Sequence, residues 1–279
     1  MTSAAPAVPP DALVEPVPAL SVREAARSYA GTVVAMAQAE LHRARRERSV
    51  LVARAAQPLL WLLVFGSAVS RVRDLGAEGV SYKSFLVPGV LAQSVLFVAI
   101  FSGMAIIWER DLGITQRILV APAPRSAVIL GKAASAGMRA VIQIAVVLAV
   151  VAVIRIPLRW SVLSVVGSLV AVLLGATLLS AFSMVIASLV KSREQFMGLG
   201  QLVTLPLLFA SNALYTVSIM PGWLQAVAKV NPLTYLVELL RQLLVGVGPD
   251  RLLVDMAVLL GGIVVTVAVA SRTFPRRVL

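Results

Sequence analysis

The chain has 279 residues, of which 59% are hydrophobic and 14% are charged, and its formal net charge is +12. Soluble domains usually contain about 45–50% apolar and about 25% charged residues, so this composition indicates a membrane protein. It excludes an ordinary soluble enzyme, a disordered protein and, since cysteine is absent, a disulfide-linked scaffold. The basic excess is typical either of nucleic-acid binding or of cytoplasmic membrane loops, and the positions of the charges decide between the two.

The first fifty residues divide into two parts. Residues 1–20 contain five prolines and show no helical or strand periodicity, which predicts a disordered cytoplasmic tail. Over residues 21–48 apolar positions recur at three- and four-residue steps, and Ser21 with Glu24 fits a capping box. We predict an amphipathic helix that lies at the membrane interface or packs on the protein's own cytoplasmic side. Its basic end directly precedes an apolar run and acts as a membrane anchor, so we expect no nucleic-acid partner.

Six apolar runs follow, and each is long enough for a membrane crossing, which takes about 20 residues. They cover 51–69, 85–108, 133–154, 162–190, 196–216 and 252–270. The sequence therefore predicts an all-α integral membrane domain over residues 49–272 with six transmembrane helices. Residues 273–279 would form a short cytoplasmic tail.

The distribution of Lys and Arg predicts the orientation of these crossings. Segments on the side of the two termini carry seventeen of these residues, and segments on the opposite side carry eight. Because basic residues collect on the cytoplasmic side, both termini are expected in the cytoplasm. An even number of crossings agrees with that placement.

The apolar runs contain few groups capable of chemistry. Arg54, Lys132 and Arg139 are expected at cytoplasmic helix ends, where long side chains reach water. No Asp, Glu or His lies at the middle of a run, which disfavours a proton- or sodium-coupled carrier. Gly131-Lys132 lacks the earlier glycine and the following Ser or Thr of a phosphate-binding loop. We therefore expect no enzyme activity, no cofactor and no metal on this chain, and any ATP and Mg²⁺ would be bound by another polypeptide.

Charged residues concentrate directly after the second run, at Glu109, Arg110, Asp111 and Arg117, with Gly113 among them. The pattern predicts a short, partly polar helix held between two crossings, which is suited to passing movement from a soluble partner into the membrane. The alternative is an ordinary interfacial loop whose basic side chains reach towards water.

A second polar segment precedes the last run. Asn231, Pro232 and Tyr235 combine a helix break with an aromatic residue typical of the membrane interface. Glu238 and Arg241 lie three residues apart, so they can pair on one helical face, or contact a substrate instead.

These two segments resemble the permease subunit of an ABC-2 type transporter, in the branch associated with daunorubicin/doxorubicin resistance. The first is similar to that family's E-R-E-x-G-T-like run, with a later proline and L-G-K, and the second to its N-P-L-T…E-x-x-R segment. The first match comprises Glu109, Arg110, Gly113, Arg117, Leu119, Pro122, Leu130, Gly131 and Lys132. The chain departs from that run at Asp111 and Ile114.

The resemblance implies a bacterial plasma-membrane exporter built from two permeases, as a homodimer, and two separate ABC ATPase subunits that bind ATP and Mg²⁺. Glu109–Arg117 would dock on the ATPase, and Asn231–Arg241 would lie in a re-entrant helical hairpin between the fifth and sixth crossings, as a gate. The alternatives are a polysaccharide or glycolipid exporter of the same family, a carrier that needs no ATPase, and a non-transporting membrane anchor.

Few residues point to the substrate. Phe97 and Phe101 lie one helical turn apart and, with Asn212, are candidates for the substrate path, although lipid-facing or core positions explain the two aromatics as well. No ladder of aromatic residues suits a sliding sugar polymer. The sequence therefore favours export of an apolar or amphiphilic drug, antibiotic or lipid-like compound, with lipid also as the surrounding partner.

Overall fold

The computed structural model describes residues 48–68, 80–112, 125–248 and 251–273, with isolated helical positions between 30 and 42. For residues 48–54 and 125 it describes the backbone alone. The predicted tail 1–20 lies outside the described residues, as do most of the amphipathic segment 21–48 and the tail beyond Thr273.

The elements of the described ranges are all helical. They are α1 (Arg48–Ala68), α2 (Tyr82–Asp111), α3 (Arg125–Val153), α4 (Val162–Leu189), α5 (Arg193–Phe209), a 3₁₀ turn (Val217–Ile219), α6 (Gly222–Val230), α7 (Pro232–Leu244) and α8 (Leu252–Thr273). Helices α1 to α5 and α8 coincide with the six apolar runs. Helices α6 and α7 occupy the polar segment before the last run.

Three helices begin with the same serine cap. The hydroxyl oxygens of Ser81, Ser161 and Ser192 accept hydrogen bonds from the backbone N–H groups three residues later, at 3.2, 3.1 and 3.2 Å. Each bond satisfies one of the N–H groups that a helix start leaves without a partner. These short polar caps fix where the apolar helices α2, α4 and α5 begin.

Four helices of the described residues are long and apolar enough to cross a membrane, namely α2, α3 from Ser126, α4 and α8. Helix α1 contributes a shorter apolar stretch, Ala55–Ala68. Helix α5 has 17 residues and ends at Phe209, so the helix predicted over 196–216 is too long. The carbonyl oxygens near its end bind side chains instead: Leu207 O accepts from Asn231, and Asn212 O accepts from Arg241.

Helix α3 begins at Arg125, eight residues before the predicted start of the third run. Arg139 therefore lies about 21 Å along the helix, at about 1.5 Å per residue. Its half-buried side chain lines an open cavity between α1, α2 and α3.

Helix α4 is the centre of the bundle and packs against α2, α3, α7 and α8. Small residues make the close contacts: a Cβ at Gly175 would lie 2.6 Å from Leu236, and one at Gly167 would lie 3.1 Å from Leu243. Because both leucines belong to α7, the small residues of α4 serve packing within one subunit. Large apolar side chains on the outer faces of α5 and α8 remain exposed, as lipid contact requires.

Candidate functional site

The first candidate region is a cluster of charges at the end of α2, which we call the charged hub (Glu109, Arg110, Asp111, Lys132 and Arg193). Glu109 forms an ion pair with Lys132 near the start of α3. Asp111 accepts a hydrogen bond of 2.9 Å from Arg193 at the start of α5. The end of α2 is thereby tied to two other membrane helices.

Arg110 connects α2 to a third element. Its two terminal nitrogens donate to the carbonyl oxygens of Val190 and Lys191, at 3.0 and 2.9 Å, directly after the end of α4. A planar guanidinium suits two neighbouring acceptors, and the C-terminal end of a helix carries partial negative charge. The hub therefore holds four helix ends in one arrangement, and Arg193 also lies 5.8 Å from the Trp108 ring.

The second candidate region is the helix pair α6–α7, joined at Asn231. The side-chain oxygen of Asn231 accepts from Leu233 N at 2.9 Å and caps α7, while its nitrogen donates to Leu207 O at 2.7 Å. The Tyr235 hydroxyl donates to Lys229 O at 2.6 Å and so joins α7 back to α6. Pro232 occupies the first turn of α7, where a missing N–H costs nothing. The polar residues of this segment therefore shape the helix pair.

The charges of α7 point into the protein. Arg241 is 5% exposed, donates to Asn212 O at 2.7 Å and lies 3.9 Å from the centroid of the Phe85 ring. Glu238 accepts from the Asn212 side-chain nitrogen at 3.0 Å. Among the ion pairs of the described residues, none joins Glu238 to Arg241, so the expected direct pair is replaced by two bonds to Asn212.

The third candidate region is an open cavity of about 680 Å³ between α1, α2 and α3, which we call the inner groove. Its lining combines aromatic side chains with buried amides and one cation. The lining residues include Gln57, Trp61, Gln93, Phe97, Phe101, Trp108, Glu109, Arg139 and Gln143. A volume of this size lies within the range of drug-binding clefts, about 300–1,000 Å³.

A sequence model of the ABC-2 type transporter matches residues 32–245, which include the hub, the groove and the helix pair. The chain belongs to this family. It is the membrane permease subunit of an ABC transporter, and in this family the ATPase activity resides in a separate subunit.

The relatives of the permease carry diverse names. It is 30% identical over 202 residues to ycf38 of Cyanophora paradoxa, named as a transport permease, with 71% of the permease and 68% of ycf38 covered. It is 25% identical over 189 residues to the daunorubicin resistance permease DrrB1 of Streptomyces coeruleorubidus (68% and 66%). It is 28% identical over 199 residues to Nodulation protein J of Rhizobium leguminosarum bv. trifolii (70% and 74%).

The structure brings together only some of the residues predicted to act in the permease. Glu109, Arg110 and Asp111 meet in the hub, whereas Gly113 and Arg117 lie outside the described residues. Phe97 and Phe101 both line the inner groove. Asn212 lies apart from them, buried against α7. The predicted substrate path therefore divides into a groove and a separate polar network.

Six polar residues of the groove were not predicted as site residues: Gln57, Gln93, Ser94, Ser102, Arg139 and Gln143. The sequence does show that these residues are polar and stand within apolar runs, and polar residues in membrane helices often have a functional role. Periodicity does not distinguish a groove-facing glutamine from a buried one in a helix such as α2, which is apolar on all sides.

Proposed function

We propose that this permease is the membrane half of an ATP-driven exporter of apolar or amphiphilic compounds. Two permeases pair as a homodimer in a bacterial plasma membrane, and each binds one ABC ATPase subunit that holds ATP and Mg²⁺. ATP-driven closure of the ATPases moves the cytoplasmic end of α2, and the movement reaches the membrane helices through the charged hub.

The hub is the observation that carries this proposal. Three consecutive side chains, Glu109, Arg110 and Asp111, each reach a different segment, so displacing the end of α2 displaces the ends of α3, α4 and α5 with it. Their charges are engaged within the chain, while the apolar Leu112 next to them is 72% exposed. We infer that the hub transmits force and that the adjoining surface, together with residues up to Arg117, contacts the ATPase.

Six crossings with both termini in the cytoplasm fit the helices. In this proposal α1 to α5 and α8 are the crossings, and α2, α3, α4 and α8 are long and apolar enough to span. Helices α6 and α7 have 9 and 13 residues, too short to cross. We place this pair, with Asn231, Pro232, Tyr235, Glu238 and Arg241, as a re-entrant gate at the outer face.

The substrate class rests on the inner groove and on the relatives. A groove lined by Trp61, Phe97 and Phe101 suits an apolar or aromatic body, and DrrB1 is named for resistance to daunorubicin, which has such a body. We therefore propose an amphiphilic compound of drug size as the exported substrate.

Charge exchange in the hub tests the coupling role. Asp111→Arg and Arg193→Asp each place like charges where a 2.9 Å pair stood, and the double exchange restores opposite charges. We expect each single variant to lose ATP-dependent, vanadate-sensitive uptake of daunorubicin into inside-out vesicles at least tenfold, and the double variant to regain most of it. Stimulation of the ATPase by the permease should also be lost in each single variant and regained in the double variant. This second measurement does not depend on daunorubicin being a substrate.

Two results would contradict the proposal. Normal transport by a Glu109→Ala/Arg110→Ala double variant would show that the hub does not couple ATP hydrolysis to movement. Transport by the permease alone, driven by a proton gradient and without an ATPase, would remove the exporter mechanism itself. Exchange of the exposed Arg155 for Asp serves as the control for a reversed charge, because Arg155 lies in the turn between α3 and α4, at the opposite ends of these helices from the hub.

A further inference from the structure

The inner groove reaches deep into the membrane from the cytoplasmic end of α2. Its lining on α2 extends from Leu112 to Gln93, about 28 Å at about 1.5 Å per residue. On α3 it ends with Gln143, about 27 Å from the start of that helix. Helix α2 continues for eleven residues, about 16 Å, beyond Gln93, so the deep end of the groove lies within the apolar length of this helix.

Gln93 is the polar group at this deep end whose bonding is incomplete. It is 4% exposed, it lines the groove, and its side-chain oxygen has no hydrogen-bond partner among the described residues. Buried amide groups in proteins are nearly always paired, and one facing hydrocarbon is especially costly to leave unpaired. An unpaired acceptor that lines a cavity therefore marks the position of a donor supplied by a ligand.

The wall leading to Gln93 is aromatic. Phe97 and Phe101 lie one and two helical turns nearer the cytoplasm on α2, and Trp61 faces them from α1, stacked on Phe65 with a centroid distance of 4.5 Å. Ring faces and edges bind other flat or aliphatic groups over a large area. The groove thus offers an extended aromatic surface that leads to an acceptor, the Gln93 oxygen, to which no described residue donates.

We propose that the inner groove binds a small amphiphile whose neutral hydroxyl or amide N–H donates to the Gln93 side-chain oxygen, with its apolar body along Trp61, Phe97 and Phe101. The inference rests on the proposed export function and names the substrate class of that function. Phospholipid is the wrong occupant, because its head group stays at the interface while Gln93 lies about 27 Å from Asp111. A small compound with one donor reaches this depth from the inner leaflet.

A pair of photoreactive probes tests the proposal on the intact wild-type permease. The probes are a diazirine-bearing long-chain alcohol and its methyl ether, which differ only in the donor. After irradiation in native membranes, labelled residues are identified by mass spectrometry. We expect both probes to label the groove, and the alcohol to label residues at Phe97 and Phe101 about five- to tenfold more at equal concentration, which corresponds to one net hydrogen bond.

A variant then assigns the preference to Gln93. Gln93→Leu should reduce labelling by the alcohol to the level of the ether, whereas Gln201→Leu, the same change at an exposed position of α5 outside the groove, should preserve the preference. Equal labelling of the wild type by alcohol and ether would overturn the proposal, and so would labelling confined to other surfaces. If added phosphatidylglycerol removed the labelling at Phe97 and Phe101, the proposal would also fail, because the groove would then bind a lipid.

The two proposals fail separately. Photolabelling needs neither ATP nor the ATPase, so a missing alcohol preference alongside intact ATP-driven export would refute only the role of Gln93. Conversely, selective labelling in a permease that exports nothing with its ATPase would leave a binding site without the proposed transport.

Discussion

Replacing Arg241 by methionine tests whether one buried guanidinium fixes the helix pair. The Arg241 side chain joins α7 to the turn after α5, through its 2.7 Å bond to Asn212 O, and to α2, through the Phe85 ring 3.9 Å away. Methionine has a similar length and keeps an apolar stem, but it removes the charge and the donors. Glu238 then remains half-buried beside Asn212 without the nearby cation.

The expected loss of stability follows from these contacts. A hydrogen bond from a charged group contributes about 1.5–3 kcal/mol, and a cation over a ring in a desolvated site about 2 kcal/mol. The cost of burying the guanidinium offsets part of both. Removing one member of a buried charged network typically costs about 3–5 kcal/mol, because the other charge stays buried. Because Glu238 is only half-buried, we take the lower end of this range, about 3 kcal/mol, and at about 2–4 °C per kcal/mol we expect Tm to fall by roughly 6–12 °C.

The assay is thermal unfolding of the purified permease in detergent, followed by tryptophan fluorescence. Lys229→Met is the matched control, because Lys229 is an exposed cation of the same helix pair. The bond that Lys229 accepts from Tyr235 goes to its backbone carbonyl, which the substitution keeps. Arg241→Lys should fall between the wild type and Arg241→Met, since lysine keeps the charge without the planar group. A Tm for Arg241→Met within about 2 °C of the wild type would refute the assignment of this contact as the anchor of the helix pair.

Two further predictions concern packing and topology. Gly89→Ala should lower Tm by several degrees, because a Cβ at Gly89 would overlap the backbone carbonyl of Ala213. Gly198→Ala should raise Tm slightly, because no described atom lies within 4 Å of a Cβ at Gly198 and alanine stabilises a helix over glycine by about 1 kcal/mol. Equal Tm values for the two variants would contradict the close contact of α2 with the turn after α5. Since the chain has no cysteine, Lys229→Cys should react with a membrane-impermeant maleimide on intact cells and Lys191→Cys only after permeabilisation; the opposite pattern would invert the proposed topology.

The sequence predicts much of the helical framework, because a crossing helix needs a long apolar run. The apolar runs predicted these helices, whereas the serine caps at Ser81, Ser161 and Ser192 were identified only in the structure. The start of α3 was missed, since the eight residues before the apolar run are mixed in polarity and carry no helical signal of their own.

The site was predicted less completely, because several of its bonds join side chains to backbone atoms. Arg110 binds the carbonyl oxygens of Val190 and Lys191, and every residue has such an oxygen, so the sequence contains no mark of these partners. The pairing expected from the spacing of Glu238 and Arg241 failed for a related reason. Both groups found a partner in Asn212, which is distant in sequence and reaches them only through the turn after α5.

Helix α2 connects the three regions, and its two ends are held differently. The cytoplasmic end is fixed by side-chain charges, which rearrange with little backbone movement, whereas the other end is fixed by Gly89 against a backbone carbonyl and by Phe85 under Arg241. Pro88 lies within that outer end, between Phe85 and Gly89, and its missing N–H removes one helical hydrogen bond there. We therefore expect movement at the hub to carry the groove with it while the outer contacts stay in place. On this reasoning, hub variants should lower transport while their Tm stays nearly constant. Variants of Gly89 and Arg241 should instead lower Tm. Hub variants with a clearly lowered Tm would show that α2 moves as a single rigid unit.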